Sequence, residues 1–255
     1  MKIVSNKMNK QNLNNISKPK QLRIKEFFKD IKNKRIFENE AKNYDFCYVH
    51  PTKAAGSFLV RSFSNFKNVK VLHRAHEIKI NHLALKSKIL ISVRDPITRF
   101  ESSFYSVLHK RKDKLEYNLL KFYSKYHDVN KYIDDLKRDP KHTIQYSCLH
   151  NDHMGRFLSY DYWIKDLLTI KKYSDSIFFV FRQEHMESDV SLFLKKIDCS
   201  QDITKNIQKF DKPKNKYPII NSDNIEFLKN FLENDYALVN CLLKAKGLST
   251  YTNLI

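Results

Sequence analysis

The chain has 255 residues and only three glycines, Gly56, Gly155 and Gly247, about 1 % against a usual share of about 7 %. A G-x-G-x-x-G fingerprint and a Walker A loop both need closely spaced glycines, so these two nucleotide-binding signatures are excluded, as are collagen-like and Gly/Ser-linker sequences. The net charge is +19, from 47 Lys and Arg against 28 Asp and Glu. It favours an anionic partner, although an Asn- and Ile-rich composition of the AT-rich coding type also scatters lysines over a surface.

With 42 % hydrophobic residues the composition is globular, and the length suits one domain with a sizeable core. Residues 1–20 are polar and Lys/Asn-rich and read as a disordered basic arm, with residues 21–255 as a single α/β domain. The arm has no apolar stretch of the kind a secretory leader carries, and no run of about 18 apolar residues occurs anywhere. A soluble, cytoplasmic protein is therefore expected.

Residues 21–42 place Leu22, Ile24, Phe27, Phe28, Ile31 and Phe37 at roughly helical spacing and predict a basic amphipathic helix. Residues 1–42 hold 12 Lys and Arg against 4 Asp and Glu, a net of +8, which suits a nucleic-acid or membrane arm or a solvated flank. DFCYVH (45–50) is a strand, PTKAAGS a turn and FLVRSFSNF a helix. NVKVLH (68–73) is a second strand, followed by a short helix near 77–86. KILISVRD (88–95) is a third strand, and Pro96 opens a helix. Residues 114–172 read as helices only. SIFFVF (176–181) is an all-apolar central parallel strand, with a helix over RQEHMESDVSLFLKKI. Residues 211–220 form a Pro/Lys loop before a final helix over 223–244. Strands alternating with helices predict a parallel sheet flanked by helices, with a helical middle segment.

The four cysteines, Cys47, Cys148, Cys199 and Cys241, form no C-x-x-C pair. They predict neither a metal site nor a redox motif but free buried thiols.

The turn after the first strand can serve as an anion cradle. Small side chains expose the backbone N–H groups of Ala54, Ala55, Gly56 and Ser57, and a helix N-terminus follows. Lys53 adds a full charge and Ser57 a hydroxyl. An ordinary turn with Ser57 as N-cap is the alternative. Arg94 stands at the carboxyl end of the third strand, with Ser102 eight residues on. In an open parallel sheet both loops flank one cleft, which suits a nucleotide with phosphates at both ends of its ribose. The alternative for Arg94 and Asp95 is a local ion pair capping the helix.

Residues 50–57, His-Pro-Thr-Lys-Ala-Ala-Gly-Ser, resemble the H-I-P-K-T-A-G-T-S loop of sulfotransferases that use 3′-phosphoadenosine-5′-phosphosulfate (PAPS), in the bacterial and glycan O-sulfotransferase branch. Val93, Arg94, Asp95, Pro96, Arg99, Ser102 and Tyr105 resemble that family's V-R-D-P-x-x-R-x-x-S-x-Y motif, with one residue of slack. NDHMGRFLSY (151–160) resembles its N-x-x-T-R-F-L-S-G segment more loosely. Thr52 stands where the family has proline, Gly155 where it tends to have threonine, and Tyr160 where it has glycine.

The resemblance implies a P-loop-like sulfotransferase fold over roughly residues 44–240. It also implies transfer of a sulfuryl group from PAPS to an acceptor hydroxyl, leaving the 3′,5′-bisphosphate PAP, with no metal required. Lys53 would bind the bridging oxygen. Ala54, Ala55, Gly56, Ser57 and Phe58 would hold the 5′-phosphate, and Arg94 and Ser102 the 3′-phosphate. His76 or His73 would be the general base, His76 preferred and Glu77 third. His50 would be structural, and Arg156 would contact a ligand or form a salt bridge. A carbohydrate acceptor, acidic in character, is favoured by the branch and the charge; nucleic acid is not the expected partner. Two other readings stand beside this one. The first is a degenerate sulfotransferase fold that binds nucleic acid or anionic glycan. The second is a P-loop-type kinase, which the missing Walker A loop disfavours.

Overall fold

A computed structural model of the chain describes residues 20–66, 68–110, 116–199 and 219–251. The expected basic arm, residues 1–20, falls almost wholly outside them, and so does most of the Pro/Lys loop at 211–220.

Four strands form one parallel sheet: β1 (Phe46–Val49), β2 (Val71–Leu72), β3 (Ile89–Val93) and β4 (Ile177–Arg182), in the order β2-β1-β3-β4. β1 pairs with β2 through Phe46 and Val71, and with β3 through Cys47 and Ile89. The α/β architecture expected from the alternating pattern is therefore present. β4 sits at the sheet edge instead of the centre. Its all-apolar sequence is explained by α9 (Met186–Lys196), whose Phe193 packs against Phe178, Phe179 and Phe181.

Strand alternation divides the core between the two faces of the sheet. Cys47, Val49, Ile89, Ile91, Val93 and Val180 face one side, where Leu238, Val239 and Leu242 of α11 (Glu233–Lys244) cover them. Phe46, Tyr48, Leu90 and Phe181 face the other, under Leu59 and Phe63 of α2 (Gly56–Ser64) and Phe193 of α9. At roughly 25 cal/mol per Å² of apolar surface removed from water, such burial dominates the stability of the sheet.

A third core is purely helical. It joins Phe100 and Phe104 of α3 (Pro96–Lys110), Phe122 of α4 (Tyr117–Lys125), Tyr132 and Ile133 of α5 (Val129–Arg138) and Leu228 of α10 (Ser222–Phe231). Among the described residues, 116–172 contain only helices, completed by α6 (Pro140–His150), α7 (Asp161–Ile164) and α8 (Leu167–Lys172). Their starts follow from sequence: Asp128, Asp139 and Asp166 accept from the amides of Asn130, His142 and Thr169, as N-cap carboxylates do.

Several expectations need correction. The helix near 77–86 is a single 3₁₀ turn, Ile80–His82, because Ile78, Ile80 and Leu83 are drawn inward individually and hold the flanking backbone extended. The final helix is two, α10 and α11, broken at Leu232 where the chain passes from the helical core to the sheet core. In α1 (Lys20–Glu40) Phe28 and Ile31 of the expected stripe are exposed and Phe37 is buried against His82; the side chains of Leu22, Ile24 and Phe27 lie outside those described. All four cysteines are free, but only Cys47 is buried; Cys148 is exposed and Cys199 and Cys241 are partly so. No helix among the described residues is long and apolar enough to cross a membrane.

Candidate functional site

The topology places the candidate residues before any side chain is considered. The chain leaves β1 for β2 on one side, then returns for β3 on the other. The carboxyl ends of β1 and β3 therefore flank the point where the strand order reverses, the usual ligand crevice of open parallel sheets. Lys53 follows β1 and Arg94 follows β3.

The loop after β1 has a glycine-like backbone without glycine. Lys53 and Ala55 both have φ of 61°, a left-handed conformation that costs a non-glycine residue about 1–2 kcal/mol. Such strain persists where the surroundings impose it and clusters at binding sites. α2 begins at Gly56 with Ala55 as its N-cap and no capping side chain, so Ser57 is not the cap. Among the described residues, the amides of Ala54, Ala55, Gly56 and Ser57 have no hydrogen-bond partner. The Phe58 amide is already committed to the Ala55 carbonyl at 3.0 Å, so the set of unpaired donors stops at Ser57.

Gly56 is required by a neighbour. A Cβ there would lie 1.5 Å from His50 Nε2. His50, expected only as a structural residue, forms the floor of the loop: it is 7 % exposed and stacks on Tyr48 with ring centroids 5.4 Å apart.

Three histidines meet at this floor. His50 Nδ1 and His73 Nε2 share a hydrogen bond of 2.9 Å, and His76 Nδ1 donates to the His50 carbonyl at 3.0 Å. A carbonyl only accepts, so Nδ1 of His76 carries the proton and the neutral ring's lone pair is on Nε2. Burial lowers the pKa of His76, and the Lys53 charge adds to this against the opposing His50 hydrogen bond. His73 is lowered by burial and by His76. Burial, with His76 and His73 beside it, lowers His50 to about 3. All three are neutral near pH 7, and His76 is the one whose tautomer is fixed by a bond to a backbone carbonyl, while the shared proton between His50 and His73 can sit on either ring. Glu77 is exposed.

Arg94 is 6 % exposed and reaches across to the loop. Its Nε donates to Thr98 Oγ1 at 3.0 Å and its Nη1 to the Lys53 carbonyl at 3.5 Å. Nη2 has no hydrogen-bond partner among the described residues. Burial works against the guanidinium charge, and Glu184, 3.9 Å from Nε, offsets it. Asp95 does not pair with Arg94; it caps α3 by accepting from the Thr98 amide at 2.8 Å. Ser102 is partly buried one turn beyond Thr98 on the same helical face.

The segment 151–160 ties the two loops together. Thr52, fully buried, donates to the Phe157 carbonyl at 3.5 Å, which also accepts from Arg99 Nη1 at 3.1 Å. Arg99 is not a ligand-facing cation. It donates to the Leu158 carbonyl and pairs with buried Asp235 at 3.3 Å. Tyr160 lies over Arg99, 4.3 Å from its guanidinium carbon, and its hydroxyl engages the Arg94 backbone. Arg156 forms an exposed salt bridge with Asp152 at 2.6 Å and covers the Phe157 ring.

Thr98 and Glu184 were not singled out from sequence, and Tyr160 only as a departure from the resembled segment. The four-residue spacing of Arg94, Thr98 and Ser102 could have pointed to Thr98; the other two depend on tertiary contacts with no local signal. No protein-family model, no curated protein and no solved structure matches the chain.

Proposed function

We propose that this protein is a PAPS-dependent O-sulfotransferase with a hydroxyl acceptor, a glycan by preference. The observation that carries the reading is the loop after β1: unpaired amides at residues 54–57, held by left-handed Lys53 and Ala55, beside the buried guanidinium of Arg94 at the point of strand reversal. These residues fit the donor. The amides and the Ser57 hydroxyl suit its 5′-phosphate, and Arg94 Nη2 with Ser102 suits its 3′-phosphate. Phe58 contributes its position in α2 and not its amide.

In this reading Lys53 stabilises the negative charge that develops on the bridging oxygen as the sulfur–oxygen bond breaks, an interaction strongest in the transition state. His76 Nε2 takes the acceptor's proton as the new oxygen–sulfur bond forms, and PAP leaves with the electron pair of the broken bond. His73 shares its Nε2 with His50 and is the second candidate base, through Nδ1. Positive charge from Lys53 and Arg94 serves where other phosphate-binding folds use a glycine-rich loop.

The test is calorimetric titration of PAP in the presence of a chelator, followed by transfer of labelled sulfate from PAPS onto glycans, tyrosine peptides and small alcohols. Binding without metal and transfer to at least one acceptor class are expected. Lys53→Ala is expected to lower kcat by about 10²–10³, the scale of losing one preorganised charge-stabilising donor. Undiminished transfer by a Lys53→Ala, Arg94→Ala double variant would overturn the site. Heparin affinity that survives in that variant, with no PAP binding by the native protein, would favour an anion-binding protein instead.

A further inference from the structure

Resting on the sulfotransferase reading, we infer that Tyr160 is a positioning residue for nucleotide binding: its phenol fixes the backbone of Arg94 and thereby the guanidinium that receives the 3′-phosphate.

β3 ends at Val93, whose pairing with Arg182 is the last rung of the ladder to β4. The N–H and C=O of Arg94 lie just beyond it, in a buried setting where unpaired backbone groups are costly. One hydroxyl satisfies both. The Arg94 N–H donates to Tyr160 Oη at 2.8 Å, and Tyr160 Oη donates to the Arg94 carbonyl at 3.0 Å. The phenol thus acts as a one-residue extension of the sheet.

Tyr160 is itself held rigidly. It is fully buried, its ring lies on Arg99, and its amide donates to Asp235 at 2.9 Å, the carboxylate that pairs with Arg99. Burial raises the phenol's pKa, so it keeps the proton it donates. With the main chain of Arg94 pinned by Tyr160 and its side chain by Thr98 and the Lys53 carbonyl, the guanidinium is placed from both ends. Preorganisation of this kind reduces the entropy lost when the ligand binds.

The test compares PAP affinity and melting temperature in native protein, Tyr160→Phe and Tyr173→Phe. Tyr173 is a matched control, a phenol that donates to a backbone carbonyl, that of Leu83, at 3.0 Å away from the candidate site. Both substitutions are expected to lower the melting temperature, Tyr160→Phe more, since it orphans two backbone groups and Tyr173→Phe one. Only Tyr160→Phe is expected to weaken PAP binding, by about tenfold, through lost preorganisation of the Arg94 guanidinium. In an Arg94→Ala background Tyr160→Phe should add nothing.

Native protein that binds PAP while Tyr160→Phe binds it equally well would overturn the inference alone. Native protein that binds no PAP would overturn the sulfotransferase reading and this role with it. A check that needs no variant is hydrogen exchange of the Arg94 amide in the native protein. Protection comparable to that of Val93 is expected, and exchange at an exposed rate would overturn the pinning.

Discussion

His50 and Gly56 are complementary to within a single methyl group: a Cβ on Gly56 would fall 1.5 Å from the His50 ring nitrogen. The ring cannot yield cheaply, because it stacks on Tyr48 and is bonded to His73 at 2.9 Å. Gly56→Ala is therefore expected to destabilise the protein by about 1–3 kcal/mol, the usual range for an overpacked site, and to weaken PAP binding by displacing the loop. Urea denaturation measures the first effect. Combining Gly56→Ala with His50→Ala should cost at least about 1 kcal/mol less than the sum of the two, since the methyl then enters vacated space. Strict additivity would show that the ring is not the obstacle.

The three glycines are expected to differ in a definite order. At Gly155 a Cβ would meet the backbone of α6, 2.5 Å from the Cys148 nitrogen. Backbone has less room to adjust than a ring, so Gly155→Ala should be the most damaging. Gly247 has φ of 64° after α11, with nothing within 4 Å of where a methyl group would stand. Gly247→Ala should cost only the left-handed penalty of about 1 kcal/mol. Melting temperatures of the three alanine variants test this ranking, and a Gly247→Ala loss equal to that of Gly155→Ala would contradict it.

The contrast between these glycines shows what could be read from the chain alone. The strands after Tyr44, Asn68 and Ser87 were visible because short apolar runs bounded by polar turns have few other solutions, and Pro96 marked the start of α3. Arg94 was visible because it ends such a run, and Lys53 because it stands in the small-residue turn that follows one. The meeting of His50 with Gly56, and of Tyr160 with Arg94, was not, since each joins elements whose approach is set by packing. The sheet edge position of β4 was hidden for the same reason: its phenylalanines are covered by α9, and burial by a helix or by another strand leaves the same apolar sequence.

Ala55→Gly tests whether the loop is strained. An alanine in a helix or an ordinary turn usually loses about 0.5–1 kcal/mol on replacement by glycine, through the entropy of the unfolded chain. Ala55 holds φ at 61°, so relief of the left-handed penalty should offset that loss. The expected result is stability within about 0.5 kcal/mol of the native protein, or above it. A loss of the full amount, measured by urea denaturation, would show that the loop relaxes in solution.

Acid sensitivity should begin unusually early, because three clustered histidines resist protonation. Burial, with His76 and His73 beside it, holds His50 at about 3; burial and His76 lower His73, and burial and Lys53 lower His76, below the ordinary 6.5. A histidine whose folded pKa is depressed takes up its proton more readily when unfolded. Its stabilising contribution is complete above pH 6.5 and is lost as pH falls toward the folded value, at up to about 1.4 kcal/mol per pH unit for each such ring. Carboxylates such as Asp30, lowered to about 2 by its bonds to His82 and Lys79 against opposing burial, keep their full stabilising contribution down to about pH 3.8 and lose it only below that. Urea midpoints should therefore fall steadily between pH 6.5 and 5. His73→Gln should flatten that slope, and the comparison cancels contributions common to both proteins, such as that of Asp235, whose buried carboxyl is raised despite Arg99. Equal slopes in the two proteins would place the acid sensitivity elsewhere than in the histidine cluster.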